Sequence, residues 1–134
     1  MNVLVDTSVW SLALRRKTLH DTPEVGELRG LIEEARVLMV GPIRQELLSG
    51  VRTAEHVQRL RDALRAFPDI PLDAEDYEEG AACFNRCRAR GLQGSNTDFL
   101  LCAVALRRKI AILTADRDFE RFSKVLDFEL HEVR

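Results

Sequence analysis

The sequence contains four acidic residues whose positions would allow folding to bring their carboxylates close together: Asp6, Glu46, Asp98 and Asp116. Asp6 directly follows a short apolar run, and Asp116 comes soon after another, and such runs are typical of strands buried on both faces. Asp98 precedes an apolar helical segment, and Glu46 lies about one turn into a helix opened by a Gly-Pro pair. Ligands of open α/β sheets bind outside the carboxyl ends of the strands, where the next helices begin. We therefore expect the four side chains to share one edge of a sheet.

Carboxylates gathered in this way indicate a metal site. At about 4 Å and an effective dielectric near 20, two carboxylates repel by roughly 4 kcal/mol, so a proton or a cation must relieve the cluster. Mg²⁺ takes oxygen ligands, uses few carboxylates and keeps waters for substrate phosphates. Such ions can activate hydroxide and stabilise both oxygens of an in-line phosphodiester displacement. Hydrolysis of a nucleic-acid backbone is the reaction that this pattern favours.

Each acid also has an ordinary structural interpretation. Asp6, Asp98 and Asp116 stand at helix starts, where a capping Asp stabilises a helix by roughly 0.5 to 2 kcal/mol. Ser95 and Asp98 even have the spacing of a capping box, with Asp in place of Glu. Glu46 is too far into its helix to cap it and could be a solvated helical residue. The joint placement of all four is what favours the metal site.

The elements that would position these acids alternate along the chain. Strands are predicted near residues 3–5, 37–40, 70, 110–113 and 126–130, and helices from 7, 23 and 42, over 54–66 and 73–90, and around 99–106. This alternation predicts a three-layer α/β/α fold with a mostly parallel sheet of four to five strands and helices on both faces. At 134 residues the chain is expected to form a single domain over 1–134.

Several side chains outside the acidic set are predicted to pack in the core. The helix over 73–90 should turn an apolar stripe of Tyr77, Ala81, Phe84 and Cys87 inward. The segment 99–106 is apolar nearly all round, so its helix should be buried between other elements. Trp10 is expected in the core or an interface rather than against a base. The three cysteines are odd in number and fall in helical segments, so reduced core thiols are expected.

Charge and hydropathy restrict the partners. The formal net charge is −2, which gives no global attraction to nucleic acid or anionic membrane, so any phosphate contact must be local. The start of the chain does not resemble a secretory signal, and no apolar run approaches the roughly 20 residues that span a bilayer. A cytoplasmic protein without a membrane segment is expected.

Positive charge collects at predicted helix ends, in residues 15–17, 86–90 and 107–109. Cations there complement the helix dipole, and they would lie at the edge opposite the acids. Arg44 and Arg117 are different, because each lies close in sequence to an acid of the set. Each is predicted either to contact substrate phosphate or to hold a ligand carboxylate in place through a salt bridge.

The motifs, taken in order, resemble a PIN domain, and in particular a VapC-type toxin of bacterial toxin–antitoxin pairs. The resemblance covers the whole chain and rests on residues 5–10, 41–50, 98–105 and 113–119. It implies a PIN-like fold and a Mg²⁺- or Mn²⁺-dependent endoribonuclease, often acting on structured RNA such as tRNA. It also implies a cognate antitoxin whose tail covers the site, and a homodimer.

The same resemblance assigns roles to individual residues. The catalytic and metal-binding quartet would be Asp6, Glu46, Asp98 and Asp116. Thr7 or Ser8 could orient the first of these acids or a metal-bound water, and Thr114 could do the same for the last, although helix capping explains these hydroxyls equally. Asp118 would support the site without reaching the metal, since residues two apart in a helical turn do not face the same way.

Two other classes of function remain open at this point. A catalytically silent PIN-like domain could keep the fold as a protein- or RNA-binding module, and removing Asp98 would then leave activity unaffected. A strand-end Asp followed by hydroxyl residues also suggests phosphotransfer through an aspartyl phosphate. The phosphatase pattern, however, requires a second Asp where Ser8 stands, and receiver domains require paired acids and a late lysine that this chain lacks.

Overall fold

Three parallel strands form the sheet in the computed structural model, which describes residues 1–14 and 22–134. They are β1 (Val3–Val5), β2 (Val37–Leu38) and β3 (Ala111–Leu113), in the order β2-β1-β3. All residues of β1 are buried, as expected for a central strand covered on both faces. The basic cluster at 15–17 and the helix-opening Asp21 lie outside the described residues.

Helices flank this sheet, which confirms the predicted α/β architecture. Those within the described ranges are α1 (Thr7–Ala13), α2 (Pro23–Glu33), α3 (Gly41–Ser49), α4 (Ala54–Leu64), α5 (Ala74–Ala89), α6 (Asn96–Arg108) and α7 (Asp118–Leu126). The predicted burial of the sixth helix is also confirmed, because its residues from Phe99 to Ala105 are all buried. The structure therefore centres on one short sheet and one buried helix.

The sheet has fewer strands than the four to five that the sequence predicted. The segment near Ile70 forms only one parallel bridge, between Asp69 and Met39. Pro68 and Pro71 bracket this segment, and proline has no N–H to donate to a strand ladder, so the pairing cannot extend.

The predicted edge strand at 126–130 is also reduced to one bridge, between Leu130 and Ile112. The pairing stops because the chain turns toward α2. There, His131 Nε2 lies 2.5 Å from the buried carboxylate of Glu27, and Arg134 donates to the same carboxylate at 3.0 Å. These contacts hold the end of the chain against a helix instead of along β3.

Helices α5 and α6 pack closely, and two features allow this. A side chain at Gly80 would bring its Cβ within 3.3 Å of the Leu100 backbone, so the missing side chain permits the approach. At the other contact, Asp76 is fully buried and accepts hydrogen bonds from Arg107 and Arg108 at 2.6 and 2.5 Å. The Arg108 guanidinium holds the pKa of Asp76 far below its usual range. This part of the basic cluster therefore stabilises helix packing.

The core contains most of the side chains predicted for it. Trp10 is 3% exposed and meets Phe67 edge to face at a centroid distance of 5.2 Å. Cys83, Cys87 and Cys102 are buried and free, as expected. The predicted stripe of α5 is wrong in two places, because Tyr77 is 54% exposed and Ala81 is also exposed, whereas Cys87 is buried and Phe84 is half-buried. Among the described helices, none has the length and apolar character needed to cross a membrane.

Candidate active site

Asp6 lies at the end of β1, where the chain turns into α1. It is the N-cap residue of α1, yet its side chain makes no capping hydrogen bond. Instead, Ser8 Oγ donates to Asp6 Oδ2 at 2.7 Å and Thr114 Oγ1 donates to the same oxygen at 2.9 Å. The residue is 4% exposed. The capping interpretation therefore does not explain Asp6, and two hydroxyls from different elements fix its carboxylate.

The same two hydroxyls join the turns at the ends of β1 and β3. Ser8 Oγ accepts from the N–H of Ala115 at 3.0 Å, and Thr114 Oγ1 accepts from the N–H of Asp116 at 3.0 Å. Each hydroxyl thus accepts from the β3–α7 turn and donates to Asp6. Thr114 contacts the backbone of Asp116, whereas its side-chain contact is with Asp6. The hydroxyl residues named from the sequence do lie at the site.

Asp98 approaches from the first turn of α6. Its Oδ2 accepts from the N–H of Ser95 at 3.0 Å, and Ser95 Oγ accepts from the N–H of Asp98 at 3.0 Å, so the capping box is present. Burial raises the pKa of Asp98 against the lowering effect of the Ser95 bonds, and the charges of Asp6 and Asp116 raise it further. The cap and the cluster are therefore compatible, and three carboxylates lie close enough to interact electrostatically.

Burial also raises the pKa of Asp6, although the hydrogen bonds from Ser8 and Thr114 oppose the change. Two neighbouring carboxylates, those of Asp6 and Asp98, therefore have environments that disfavour their charged forms. A cation placed between them would reverse this effect, because it favours the ionised carboxylates. Raised pKa values from burial and like charge are typical of functional sites.

Asp116 lies in the turn before α7. Its Oδ1 accepts from the N–H of Asp118 at 2.9 Å, so it satisfies one of the free amides at the start of the helix. The side chain of Asp118 is exposed and lies 3.4 Å from Arg121, its ion-pair partner one turn on. Asp118 therefore contributes its backbone to the position of Asp116, in agreement with a supporting role.

Glu46 is exposed on α3 and is linked to the other acids through Thr7. Thr7 Oγ1 donates to Glu46 Oε1 at 2.7 Å, and Thr7 directly follows Asp6. The two residues line a cavity of about 600 Å³, to which Thr97, next to Asp98, also contributes. Glu46 thus faces an open cleft at the edge of the three interacting carboxylates.

The donor set fits a cation that is largely hydrated. No three His, Cys, Asp or Glu side chains among residues 1–14 and 22–134 form a group that could hold a metal ion by direct ligation alone. Mg²⁺ differs from most metals in this respect, because it is commonly held by one or two carboxylates with several retained waters. Asp6 and Asp98, whose pKa values are raised by burial, are suited to that role.

The two arginines named from the sequence have different surroundings. Arg44 donates to Asp69 at 2.9 Å and to the carbonyl of Leu64 at 3.0 Å, and it also contacts the carbonyl of Phe67. Its guanidinium therefore fastens α3 to the segment after α4, and its salt bridge is with Asp69 instead of with one of the four acids. These contacts favour a structural role over phosphate binding.

Arg117, in contrast, is exposed at the start of α7. Within the described ranges its side chain makes no hydrogen bond or ion pair, and the residue lines a cavity of about 300 Å³ together with Thr114 and Asp116. It remains available for a phosphate. Sequence reasoning did not find Thr97, or Ser49 and Gln45 of the Glu46 cleft, because uncharged residues at helix surfaces have no spacing that marks them as cleft-lining.

The fold corresponds to a known class. The family model for the PIN domain matches residues 3–125, so the chain belongs to the PIN-domain family. A VapC ribonuclease of Mycobacterium bovis is 30% identical to it over 98% of this chain and 99% of that protein. Ribonuclease VapC11 of Mycobacterium tuberculosis has the same identity and coverage. These relatives place the chain next to the VapC ribonucleases.

Solved structures agree with this assignment at the level of the fold. VapBC2 from Rickettsia felis, bound to a DNA fragment from its promoter, has a TM-score of 0.76 at 18% identity and covers 98% of each chain. The FitAcB structure from Neisseria gonorrhoeae has a TM-score of 0.74 at 20% identity, covering 97% of this chain and 96% of that one. At these identities the likeness concerns the fold alone.

Proposed function

We propose that this protein is an endoribonuclease and the toxin of a toxin–antitoxin pair, which hydrolyses RNA phosphodiester bonds with Mg²⁺ or Mn²⁺. The observation that carries the proposal is the carboxylate cluster. Asp6 and Asp98 are held in a partly desolvated position where burial raises the pKa of both, and the charges of Asp6 and Asp116 raise that of Asp98 further. The near full-length similarity to proteins named VapC ribonucleases supports the same reaction.

In this proposal the carboxylates of Asp6, Glu46, Asp98 and Asp116 would hold the ion. When bound, Mg²⁺ or Mn²⁺ would lower the pKa of a coordinated water and neutralise charge on the phosphate. Ser8 and Thr114 keep Asp6 Oδ2 in one orientation, and Thr7 keeps Glu46 at the cleft. Arg117, which has no partner in the described part of the chain, binds a phosphate oxygen of the RNA.

The partners belong to the proposal. The names VapBC and FitAB denote complexes, which supports a cognate antitoxin as a partner. An antitoxin tail that covers the cleft, a homodimer, and structured RNA such as tRNA as the substrate class are what the family resemblance implies. We also include a cytoplasmic location, because buried free cysteines suit a reducing compartment.

The test is cleavage of a mixed RNA pool by metal-stripped protein, with and without added Mg²⁺ or Mn²⁺. Asp98→Asn is the informative variant, because Asn can keep the capping hydrogen bond to Ser95 while it removes the charge. Asp62→Asn is the matched control, since Asp62 is exposed on α4 and, within residues 1–14 and 22–134, pairs only with its neighbour Arg61 at 3.6 Å. Circular dichroism establishes that each variant is folded.

We expect cleavage that requires the metal, is lost in Asp98→Asn and is retained in Asp62→Asn. Equal cleavage by the two variants would show that the carboxylate cluster does not take part in the reaction. Absence of cleavage by folded wild-type protein across the pool, together with antitoxin binding, would instead support a catalytically silent binding module.

A further inference from the structure

Tyr77 is the only tyrosine of the chain, and its position is unusual for a large aromatic side chain. It lies in the first turn of α5 and is 54% exposed, although the residues that follow it at helical spacing, Gly80 and Cys83, are buried against α6. Within the described ranges its hydroxyl makes no hydrogen bond. The aromatic face is therefore open to a ligand on the side where α5 meets α6.

A cavity of about 420 Å³ lies against this ring. Its walls are apolar or neutral, and the residues that matter to its chemistry are Tyr77, Pro42, Leu100, Asn96 and Thr97. Among the described residues, no charged side chain lines it. The cavity therefore offers an aromatic face, an apolar floor, one amide and the hydroxyls of Thr97 and Tyr77, which suit an uncharged planar ring with polar edges.

The cavity adjoins the acidic cleft. Pro42 and Thr97 line both the Tyr77 cavity and the cavity that contains Glu46 and Thr7. Thr97 is also the residue directly before Asp98. A chain molecule with its phosphodiester at the carboxylates would therefore place a neighbouring unit beside Tyr77.

We propose that the Tyr77 cavity is a nucleobase subsite, in which one unpaired base of the RNA next to the cleaved bond stacks on the tyrosine ring. This inference rests on the proposed ribonuclease function. Bases of single-stranded nucleic acid commonly stack on aromatic side chains, and hydrogen bonds to their edges then select among them. The Asn96 amide, with one acceptor and two donors, is placed to read such an edge.

The neutral lining indicates that the occupant of the cavity is a base of the RNA and not its phosphate backbone. Phosphate binding in proteins uses Arg, Lys, backbone N–H groups or helix N-termini, and contributes a strong dependence on salt. In the described part of the chain, no cationic side chain lines the Tyr77 cavity. The phosphates would therefore lie at the cleft, toward the metal and Arg117, and the base would occupy the neutral cavity.

The first experiment compares RNA cleavage by wild type, Tyr77→Ala and Tyr77→Phe. The control is Ile32→Ala, which truncates another exposed apolar residue, 39% exposed on α2 and outside the cavity. Loss of a stacked base should raise KM in Tyr77→Ala by about 5- to 150-fold with a smaller change in kcat. Tyr77→Phe keeps the ring and should remain within about twofold of wild type, as should Ile32→Ala.

The second experiment reports on the ring itself. Because there is one tyrosine, 3-fluorotyrosine labelling gives one ¹⁹F resonance, which is followed in the non-cleaving Asp98→Asn protein with Mg²⁺ present. We expect the resonance to shift on addition of single-stranded octamers of uridine or adenosine. An abasic oligonucleotide of the same length, which supplies phosphates without bases, should not shift the ¹⁹F resonance.

The outcomes separate this inference from the proposed function. Metal-dependent cleavage with an unchanged KM in Tyr77→Ala would overturn the base subsite and leave the ribonuclease intact. Equal ¹⁹F shifts with the abasic chain, or a shift that follows protein concentration alone, would assign the surface to the backbone or to a second copy, and either would overturn it. Absence of RNA cleavage by wild type would contradict both the base subsite and the proposed ribonuclease function.

Discussion

Replacing Ser8 with alanine tests how the site is built. Ser8 Oγ donates to Asp6 Oδ2 at 2.7 Å and accepts from the N–H of Ala115 at 3.0 Å, so one hydroxyl connects the turns after β1 and β3. Ser8→Ala removes both hydrogen bonds without adding bulk. Ala115 is exposed, so water can satisfy its N–H, whereas Asp6 is 4% exposed and has little access to solvent. The loss of stability should therefore come mainly from the Asp6 carboxylate, which loses a hydrogen bond that water cannot replace.

The expected magnitude follows from this geometry. A hydrogen bond to a charged group contributes about 1.5 to 3 kcal/mol, so we expect Ser8→Ala to lower the free energy of unfolding by roughly 2 kcal/mol at pH 7. The Ser8 bond lowers the pKa of Asp6 against the effect of burial, so its loss should raise that pKa further. Residues that orient a metal ligand typically change metal affinity by about 10- to 100-fold. We expect Mn²⁺ binding to weaken by that factor.

Urea unfolding of metal-free protein and calorimetric titration with Mn²⁺ measure the two quantities separately. Ser11→Ala is the matched control, because Ser11 lies one turn further along α1 and its hydroxyl makes no hydrogen bond within residues 1–14 and 22–134. Ser11→Ala should change neither quantity appreciably. If Ser8→Ala matched Ser11→Ala in both stability and Mn²⁺ affinity, the hydroxyl contact to Asp6 would not position the carboxylate.

Three further perturbations probe other parts of the fold. Burial raises the pKa of Asp98, so the carboxyl of the folded protein keeps its proton to a higher pH than that of the unfolded chain, whose pKa is near 3.8. Metal-free wild type should therefore lose stability as the pH rises between these two pKa values. Asp98→Asn should unfold at a higher urea concentration than wild type at pH 7 but not at pH 3. Asp76→Asn removes the buried partner of Arg108 and should lower the free energy of unfolding, measured with urea at pH 7, by roughly 3 kcal/mol. This value lies toward the low end for buried ion pairs because the Arg108 side chain is 27% exposed. The Asp76 pKa is lowered, so this cost should shrink as pH falls below about 4, which is near the unfolded pKa of Asp. Gly94→Ala would place a Cβ 2.9 Å from the Phe122 ring, and thermal melts should show a loss of about 1 to 3 kcal/mol; an unchanged melting temperature would mean that the ring can move aside.

Local patterns were sufficient to place most of the site. Asp6 follows a run of apolar residues that forms β1, and Asp116 follows the run that contains β3. The capping box of Ser95 and Asp98 was visible from spacing alone and is present in the structure. These features depend on residues within a few positions of one another, which is why a sequence pattern can predict them.

Other features depended on partners far away in the chain. Arg44 was a candidate for phosphate binding by its proximity to Glu46, but its donors are used by Asp69 and by carbonyls some twenty residues away. Tyr77 matched the apolar spacing of α5, yet it is exposed, because the face of α5 that is buried runs through Asp76, Gly80, Cys83 and Cys87. The missing strands near residues 70 and 130 were decided by prolines and by the contacts of the last residues with α2.

The sequence by itself determined the alternation of strands and helices, the helix caps and the identity of the acids at strand and helix ends, because these follow from short-range sterics and hydrogen bonding. Only the tertiary structure decided that Ser8 and Thr114 meet on one oxygen of Asp6, and that the Tyr77 cavity shares Pro42 and Thr97 with the Glu46 cleft. Those contacts join residues as much as 108 positions apart, and their geometry is set by how the helices pack on the sheet. No local pattern encodes that packing.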